Sequence, residues 1–465
     1  MKMSAKRQNK RYILIISSVA AIGGFLFGFD TGVISGTLIF LQDAKGWALT
    51  DSQLGGVTTA VLLGAVLGCL ISGKVTDIFG RKKIIIITSA IFMCGAVLSG
   101  SAPDVTFLII SRLFLGIGIG IASFSVPLYI AEISPARNRG ALVTINQLMI
   151  TVGILVSYIT DYWIANDADP FSWRLMFHIG FIPGLMLFTG MFFLPETPRW
   201  LISKGRDEEG TSVLKRVEDP DLIESSLKKL KEEISSDTEN KTSGMKISEP
   251  WLKYPLIIGI GIMILTEFTG IDTIVYYTPK IFKIAGYISN EQSILPAIIV
   301  GCSNVIFTII SIFLVDRIGR RPLYFIGLSG LVVTLFSLGL CFRFQNELGA
   351  SFSILTVSTM FLFIASFALS FGPLSWLLIS EIFPLKFRGL GMSIGAFTLW
   401  SATTIVNYSF LKIVDALTLA GTFWLFAIMG IISGIWGFFY IPETKGKSLE
   451  YIEEHWRQGK TPREL

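Results

Sequence analysis

The hexapeptide Asp77-Ile78-Phe79-Gly80-Arg81-Lys82 returns 239 residues later as Asp316-Arg317-Ile318-Gly319-Arg320-Arg321. Glu132-Ile133-Ser134-Pro135, followed by Arg139-Gly140, returns after 249 residues as Glu381-Ile382-Phe383-Pro384, followed by Arg388-Gly389. Pro195-Glu196-Thr197 returns after 247 residues as Pro442-Glu443-Thr444. Three polar signatures, in one order and at nearly one offset, make the chain a tandem repeat of two related halves.

What lies between the signatures is apolar. Of 465 residues, 52% are hydrophobic and 16% charged, against about 25% charged in soluble domains. The mean hydropathy is +0.64. Such a composition leaves no way to build a wettable surface without very large apolar patches, which excludes a soluble enzyme. Apolar stretches recur at Tyr12–Leu41, Leu54–Thr76, Ile84–Ala102, Phe107–Ile130, Ala141–Ile164 and Leu175–Leu194. Six more lie at Tyr254–Phe282, Ile294–Val315, Leu323–Phe342, Phe352–Phe383, Leu390–Val414 and Leu419–Ile441. A membrane-crossing helix needs about 20 such residues, so the expected fold is an all-α membrane protein of twelve transmembrane helices. The divisions are an N-terminal tail (1–11), a six-helix bundle (12–198), a linker (199–253), a second bundle (254–441) and a C-terminal tail (442–465).

Charge orients the set. Lys2, Lys6, Arg7, Lys10 and Arg11 fill the N-terminal tail, and Arg81, Lys82, Lys83, Arg137 and Arg139 fall in the second and fourth loops. Asp161, Asp167 and Asp169 are assigned to the fifth loop. Lys and Arg mark the cytoplasmic side, so both termini are expected inside, in a plasma (inner) membrane. The linker concentrates 11 Lys/Arg and 12 Asp/Glu in 55 residues. Leu222–Ile234 has apolar residues at helical spacing and reads as short cytoplasmic helices; Ser235–Gly244 reads as an unstructured connection.

Cys69, Cys94, Cys302 and Cys341 sit in apolar runs without a CxxC partner or a nearby His, so neither disulfides nor a metal site is expected. With two His, His178 and His455, no nucleophile–base pair is visible, and no enzyme is expected. The net charge of +5 gives no reason to expect nucleic acid.

Two six-span halves in parallel repeat are a transporter architecture, with the substrate site between them near the bilayer midplane. Here a resemblance becomes specific. The chain resembles a sugar porter of the major facilitator superfamily, close to bacterial sugar–proton symporters, over nearly its whole length. Gly80-Arg81-Lys82, Pro195-Glu196-Thr197-Pro198-Arg199-Trp200-Leu201 and Pro442-Glu443-Thr444-Lys445-Gly446 carry it. The resemblance implies two pseudo-symmetric bundles in the major facilitator fold. It also implies alternating access and a monomer that takes up a monosaccharide or polyol with protons, using no other cofactor.

Asp30 lies inside the first span, where a carboxylate is a functional candidate by default. A group balanced between desolvation and a nearby cation can load and release a proton. Arg112 of span four is the partner, and the resemblance makes the two the proton-coupling pair; the plain alternative is a structural ion pair. Gln147 in span five offers a donor and an acceptor to a sugar hydroxyl and matches a family sugar-binding Gln, the alternative being glue between helices. Trp376 and Trp400 match cavity-lining positions, and Tyr276 and Tyr277 a pair at the outer gate. Phe27 reads as ordinary packing. Asp77, Arg81, Glu132, Arg137, Arg139 and Glu196 in one half, with Asp316, Arg320, Glu381, Arg388 and Glu443 in the other, are expected to form a cytoplasmic latch. Gly116, Gly118 and Gly120 suit close helix packing, and Gly372-Pro373 a bend.

Span seven departs from the family. Its pattern Gln-Gln-x-x-Gly-Ile-Asn reads here Thr266-Glu267-Phe268-Thr269-Gly270-Ile271-Asp272. Thr266, Glu267 and Asp272 are taken as substrate-binding. Protonated, the two acids imitate the amides and serve a neutral polyol; ionised, they suit an amino sugar or another organic cation. Asp272 is also the repeat mate of Asp30, and no Arg stands at the mate position of Arg112, so Asp272 is a candidate second protonatable site. A passive sugar facilitator is the remaining alternative, opposed by Asp30.

Overall fold

The computed structural model describes residues 2–43, 45–135, 139–242, 249–384 and 387–465, and of residues 2–10, 139, 236–242 and 388 the backbone alone. Among them every regular element is helical. Eleven stretches are long and apolar enough to cross a membrane. The first six are Arg11–Leu41, Asp51–Phe79, Arg81–Gly100, Val105–Ile133, Gly140–Ile164 and Trp173–Phe192. Pro250–Ile284, Asn290–Ile318, Arg320–Arg343, Ser351–Ile382 and Gly389–Tyr440 follow. The last has 52 residues, far more than one crossing needs at about 1.5 Å per residue. It breaks at Thr418 (φ 64°, ψ 169°) into spans eleven and twelve, 389–417 and 419–440. The fold is thus the expected twelve helices in two bundles.

Close approach within a bundle rests on glycine. A Cβ on Gly64 would stand 2.2 Å from the Leu113 carbonyl oxygen, and one on Gly116 2.1 Å from that of Val61. Spans two and four therefore touch backbone to backbone, the small-residue packing of membrane helices. Gly116 and Gly120 face span two, whereas Gly118 faces Ile91 of span three. Between the halves, span one meets the second segment of span seven, span two meets the long stretch that holds spans eleven and twelve, and span five meets span eight. These pairs frame the seam in which the candidate residues lie.

Two spans are broken at the seam. Span seven divides at Gly270 (φ 79°) into Lys253–Phe268 and Ile271–Ile284. Span ten divides at Ser370 (φ −124°, ψ −84°), not at Gly372-Pro373. Pro373 instead occupies the first turn of the second segment, where its missing N–H costs no helical bond.

The linker forms helices at Pro198–Ser203, Asp207–Val217 and Ile223–Thr242. The last helix overruns most of the stretch read as unstructured; residues 243–248 lie outside the described ones. Asp161, assigned to a loop from sequence, lies inside span five and is 0% exposed. The C-terminal tail adds a helix, Leu449–Arg457, whose Trp456 indole N–H donates to the Ile382 carbonyl at 3.1 Å.

Candidate functional site

Span one carries Asp30 to the middle of the first bundle, where it is 3% exposed and Arg112 of span four is 0% exposed. The guanidinium forks onto the carboxylate: Nη1 donates to Oδ1, and Nη2 donates to Oδ2 at 2.8 Å. The Phe177 ring lies 5.4 Å from the guanidinium carbon. A buried charge pair holds together only when the geometry and the remaining hydrogen bonds are good; here the fork supplies the geometry, while Arg112 Nε has no partner.

Tyr276 connects this pair to the other half. It rises from the second segment of span seven, is 2% exposed, and lies within electrostatic reach of Asp30, Arg112 and Asp272. Asp272 stands in the first turn after Gly270, and Glu267 in the last turn before it. The break thus sets the two acids on either side of Gly270, within electrostatic reach of one another. Glu267 is 4% exposed; Asp272 is half-buried. Among the described residues, no cation acts on either.

The other expected substrate contacts divide. Gln147 and Trp376 are half-buried. Trp400 crosses the seam: its indole N–H donates to Ser123 Oγ of span four at 3.3 Å, and its ring lies 5.1 Å from that of Phe27. Phe27 is therefore more than general packing; it meets Trp400 from the opposite half. Thr266 is already occupied, donating to the Ile262 carbonyl at 2.7 Å and sharing a hydrogen bond with Ser375 of span ten at 3.1 Å. That places it as a brace between spans seven and ten.

The expected latch residues form two copies of one motif. Arg81 pairs with Glu132 (2.9 Å) and Asp77 (3.2 Å), and the Glu196 carboxylate accepts from the Arg81 backbone N–H at 3.1 Å. In the repeat, Arg320 pairs with Glu381 (2.7 Å) and Asp316 (3.0 Å), and Glu443 accepts from the Arg320 N–H at 3.1 Å. Among the described residues, these contacts lie within their own halves. Arg137 lies outside the described residues, as do the side chains of Arg139 and Arg388.

At the opposite, far end the halves are joined. The Tyr277 hydroxyl meets that of Thr58 at 3.1 Å, and the Tyr158 and Ser35 hydroxyls both donate to the Val275 carbonyl, at 3.1 and 3.0 Å. Beyond them Lys280 pairs with Asp51 at 2.6 Å, the Asn290 amide donates to Asp43 at 3.1 Å, and its backbone N–H donates to Asp167 at 3.0 Å. The seam is sealed at this end. Sequence reading named Tyr276 and Tyr277 but missed the charged contacts, because partners 229 residues apart carry no local signal.

Twelve spans in two repeated halves, with a buried ion pair, paired acids and aromatic rings at their seam, define a secondary transporter. Residues 16–456 match the family described as "Sugar (and other) transporter", and the chain belongs to that family. It is 36% identical over 459 residues to the major myo-inositol transporter IolT of Bacillus subtilis (strain 168), covering 98% of this chain and 96% of that one. It is 36% identical over 461 residues to the galactose-proton symporter of Escherichia coli (strain K12), covering 99% and 97%. Among solved structures, the partially occluded inward open conformation of the xylose transporter XylE from E. coli matches with a TM-score of 0.82 and 31% identity, covering 94% of this chain and 100% of that one. The chain is a multi-pass membrane transporter, not an enzyme.

Proposed function

We propose that the protein couples inward movement of protons to uptake of a neutral monosaccharide or polyol by alternating access. It acts as a monomer in the lipid of the plasma membrane, with the basic end and both termini in the cytoplasm and no cofactor besides the proton. Asp30, Arg112, Gln147, Glu267, Asp272, Trp376 and Trp400 are the working residues. The observation that carries the reading is the Asp30–Arg112 fork, withdrawn from water inside the first bundle.

Protonation of Asp30 removes one charge of this pair and leaves Arg112 without its acceptor. An uncompensated buried charge is expensive, so protonated and ionised Asp30 favour different arrangements of spans one and four. Span one is joined to span seven through the Ser35 hydroxyl and the Val275 carbonyl, so the rearrangement reaches the substrate acids. A ligand shifts the two-state equilibrium only through different affinities for the two states; a sugar held by both halves satisfies that condition. On this reading the seal at the far end makes the described state inward-facing.

Glu267 and Asp272 without a cation support a second reading, an amino sugar or organic cation as substrate. The deciding experiment is uptake by proteoliposomes of D-xylose, D-glucose, D-galactose, myo-inositol and glucosamine under an imposed pH gradient. Accumulation of a neutral compound that a protonophore abolishes is expected. Accumulation of glucosamine alone selects the second reading, and equilibration without accumulation rejects coupling.

A further inference from the structure

An indole carries one N–H and no acceptor, so Trp400 serves one hydrogen-bond partner at a time. In the described state that partner is Ser123 of the first half, whose Oγ accepts at 3.3 Å. The serine is set to receive it. Its own hydrogen goes to the Gly120 carbonyl at 2.9 Å, which leaves the oxygen lone pairs to the indole. Cys69 of span two lies against the same group, with Sγ 3.7 Å from Ser123 Oγ and 3.3 Å from the Gly120 carbonyl oxygen. On the other flank the Phe27 ring packs on the Trp400 ring. Trp400 is 3% exposed and Cys69 8%. Spans one, two and four thus close around one side chain of the second half. Cys69, Ser123 and Trp400 each lie about ten residues, roughly 15 Å, from the span ends at Phe79, Ile133 and Gly389. That is the side opposite to the seal made by Tyr277 and Lys280, so the Asp30–Arg112 fork lies between two sets of contacts across the seam.

We propose that Ser123 is a positioning residue that tethers Trp400 across the seam, and that the substrate competes with it for the indole N–H, so that binding releases this side of the seam. The inference rests on the reading of Trp400 as a substrate contact and adds how that contact drives the halves apart. A sugar hydroxyl that accepts from the indole takes the hydrogen that Ser123 now holds. One hydrogen bond is exchanged for another, so the net cost of release is small and the step reverses when the substrate leaves. A ligand moves a two-state equilibrium only by binding the states unequally. Here the inequality has a defined source: in the tethered state the indole N–H is already taken, and in the released state it is free for the substrate.

The test uses the full chain carrying Cys94→Ala, Cys302→Ala and Cys341→Ala, so that Cys69 beside the tether is the one remaining thiol. In proteoliposomes without substrate, N-ethylmaleimide should label Cys69 about two- to tenfold faster in Ser123→Ala and in Trp400→Phe, the range that one hydrogen bond sets. Ser123→Thr keeps the hydroxyl and should label at the parent rate. In Ser123→Ala the indole is free, so affinity for whichever of D-xylose, D-glucose, D-galactose or myo-inositol is accumulated should rise by a similar factor, with Ser123→Thr at the parent value. An unchanged labelling rate in both tether variants overturns the proposal. Faster labelling in Ser123→Ala but not in Trp400→Phe is an effect local to Cys69 and overturns it as well. Faster labelling in both with unchanged affinity in Ser123→Ala overturns the competition with substrate. Should none of the four probes be accumulated, the symport reading fails, while labelling of the resting protein still decides whether Ser123 tethers the halves.

Discussion

Lys280 Nζ lies 2.6 Å from Asp51 Oδ1 and ties the second segment of span seven to the start of span two. It joins the two halves at the sealed end. An ion pair with this degree of exposure contributes about 0.5–1 kcal/mol, so Lys280→Ala should favour the outward-open state by roughly two- to fivefold. Spin-label distances across the far end would measure the shift, and the charge-exchanged Asp51→Lys/Lys280→Asp variant should restore closure. No change in either variant would remove the pair from the gate.

Asp30→Asn should separate coupling from translocation. The amide keeps the size of the carboxyl but cannot cycle a proton, so accumulation against a gradient should be lost while substrate exchange between equal pools persists. Arg112→Ala is a harsher change. It leaves the Asp30 carboxylate without a counter-charge in a dry site, a loss of about 3–5 kcal/mol, visible as a lower melting temperature in detergent. A variant pair that lost accumulation and exchange alike would make the fork structural only.

Much of this was legible in the sequence, and the reasons for success and failure are physical. Repeated polar signatures and runs of about 20 apolar residues fixed the halves and spans, since both are local patterns. Asp30 and Arg112 stood out because charge is scarce in hydrocarbon. The Thr266 partner was not legible, because composition cannot say that its hydroxyl turns to Ser375. Asp161 was placed in a loop by its proximity to Asp167 and Asp169, although it lies within the apolar run ending at Ile164; both its oxygens are buried without a partner. Phe27 was read as packing among 36 Phe, since only the fold brings its ring to Trp400.

Glu196, beside the Arg81 cluster, should give the protein a pH-dependent stability. Burial lifts its carboxyl above the ordinary value of 4.5, opposed by N–H donors from Thr197 and Lys82 and by Arg81, and reinforced by Glu132. A carboxyl raised in this way binds protons more readily in the folded chain than in the unfolded one. Its contribution to stability therefore falls as pH rises from the unfolded value through the folded one. Melting temperatures taken from mildly acidic to neutral pH should decline more steeply in the wild type than in Glu196→Gln. Parallel profiles would show that Glu196 does not titrate in this range.

Gly270 is the residue on which the acid pair depends. Its φ of 79° lies where a side chain costs about 1–2 kcal/mol, and a Cβ there would stand 2.4 Å from Cδ2 of Phe426. Gly270→Ala thus meets two separate penalties, one in the backbone and one in packing. Phe426→Ala removes only the second. Adding it to Gly270→Ala should recover part of the lost thermal stability and leave the backbone share, while substrate affinity stays low because Glu267 and Asp272 no longer meet. If Gly270→Ala alone matched the wild type in melting temperature and substrate affinity, the break in span seven would not be what positions the two acids.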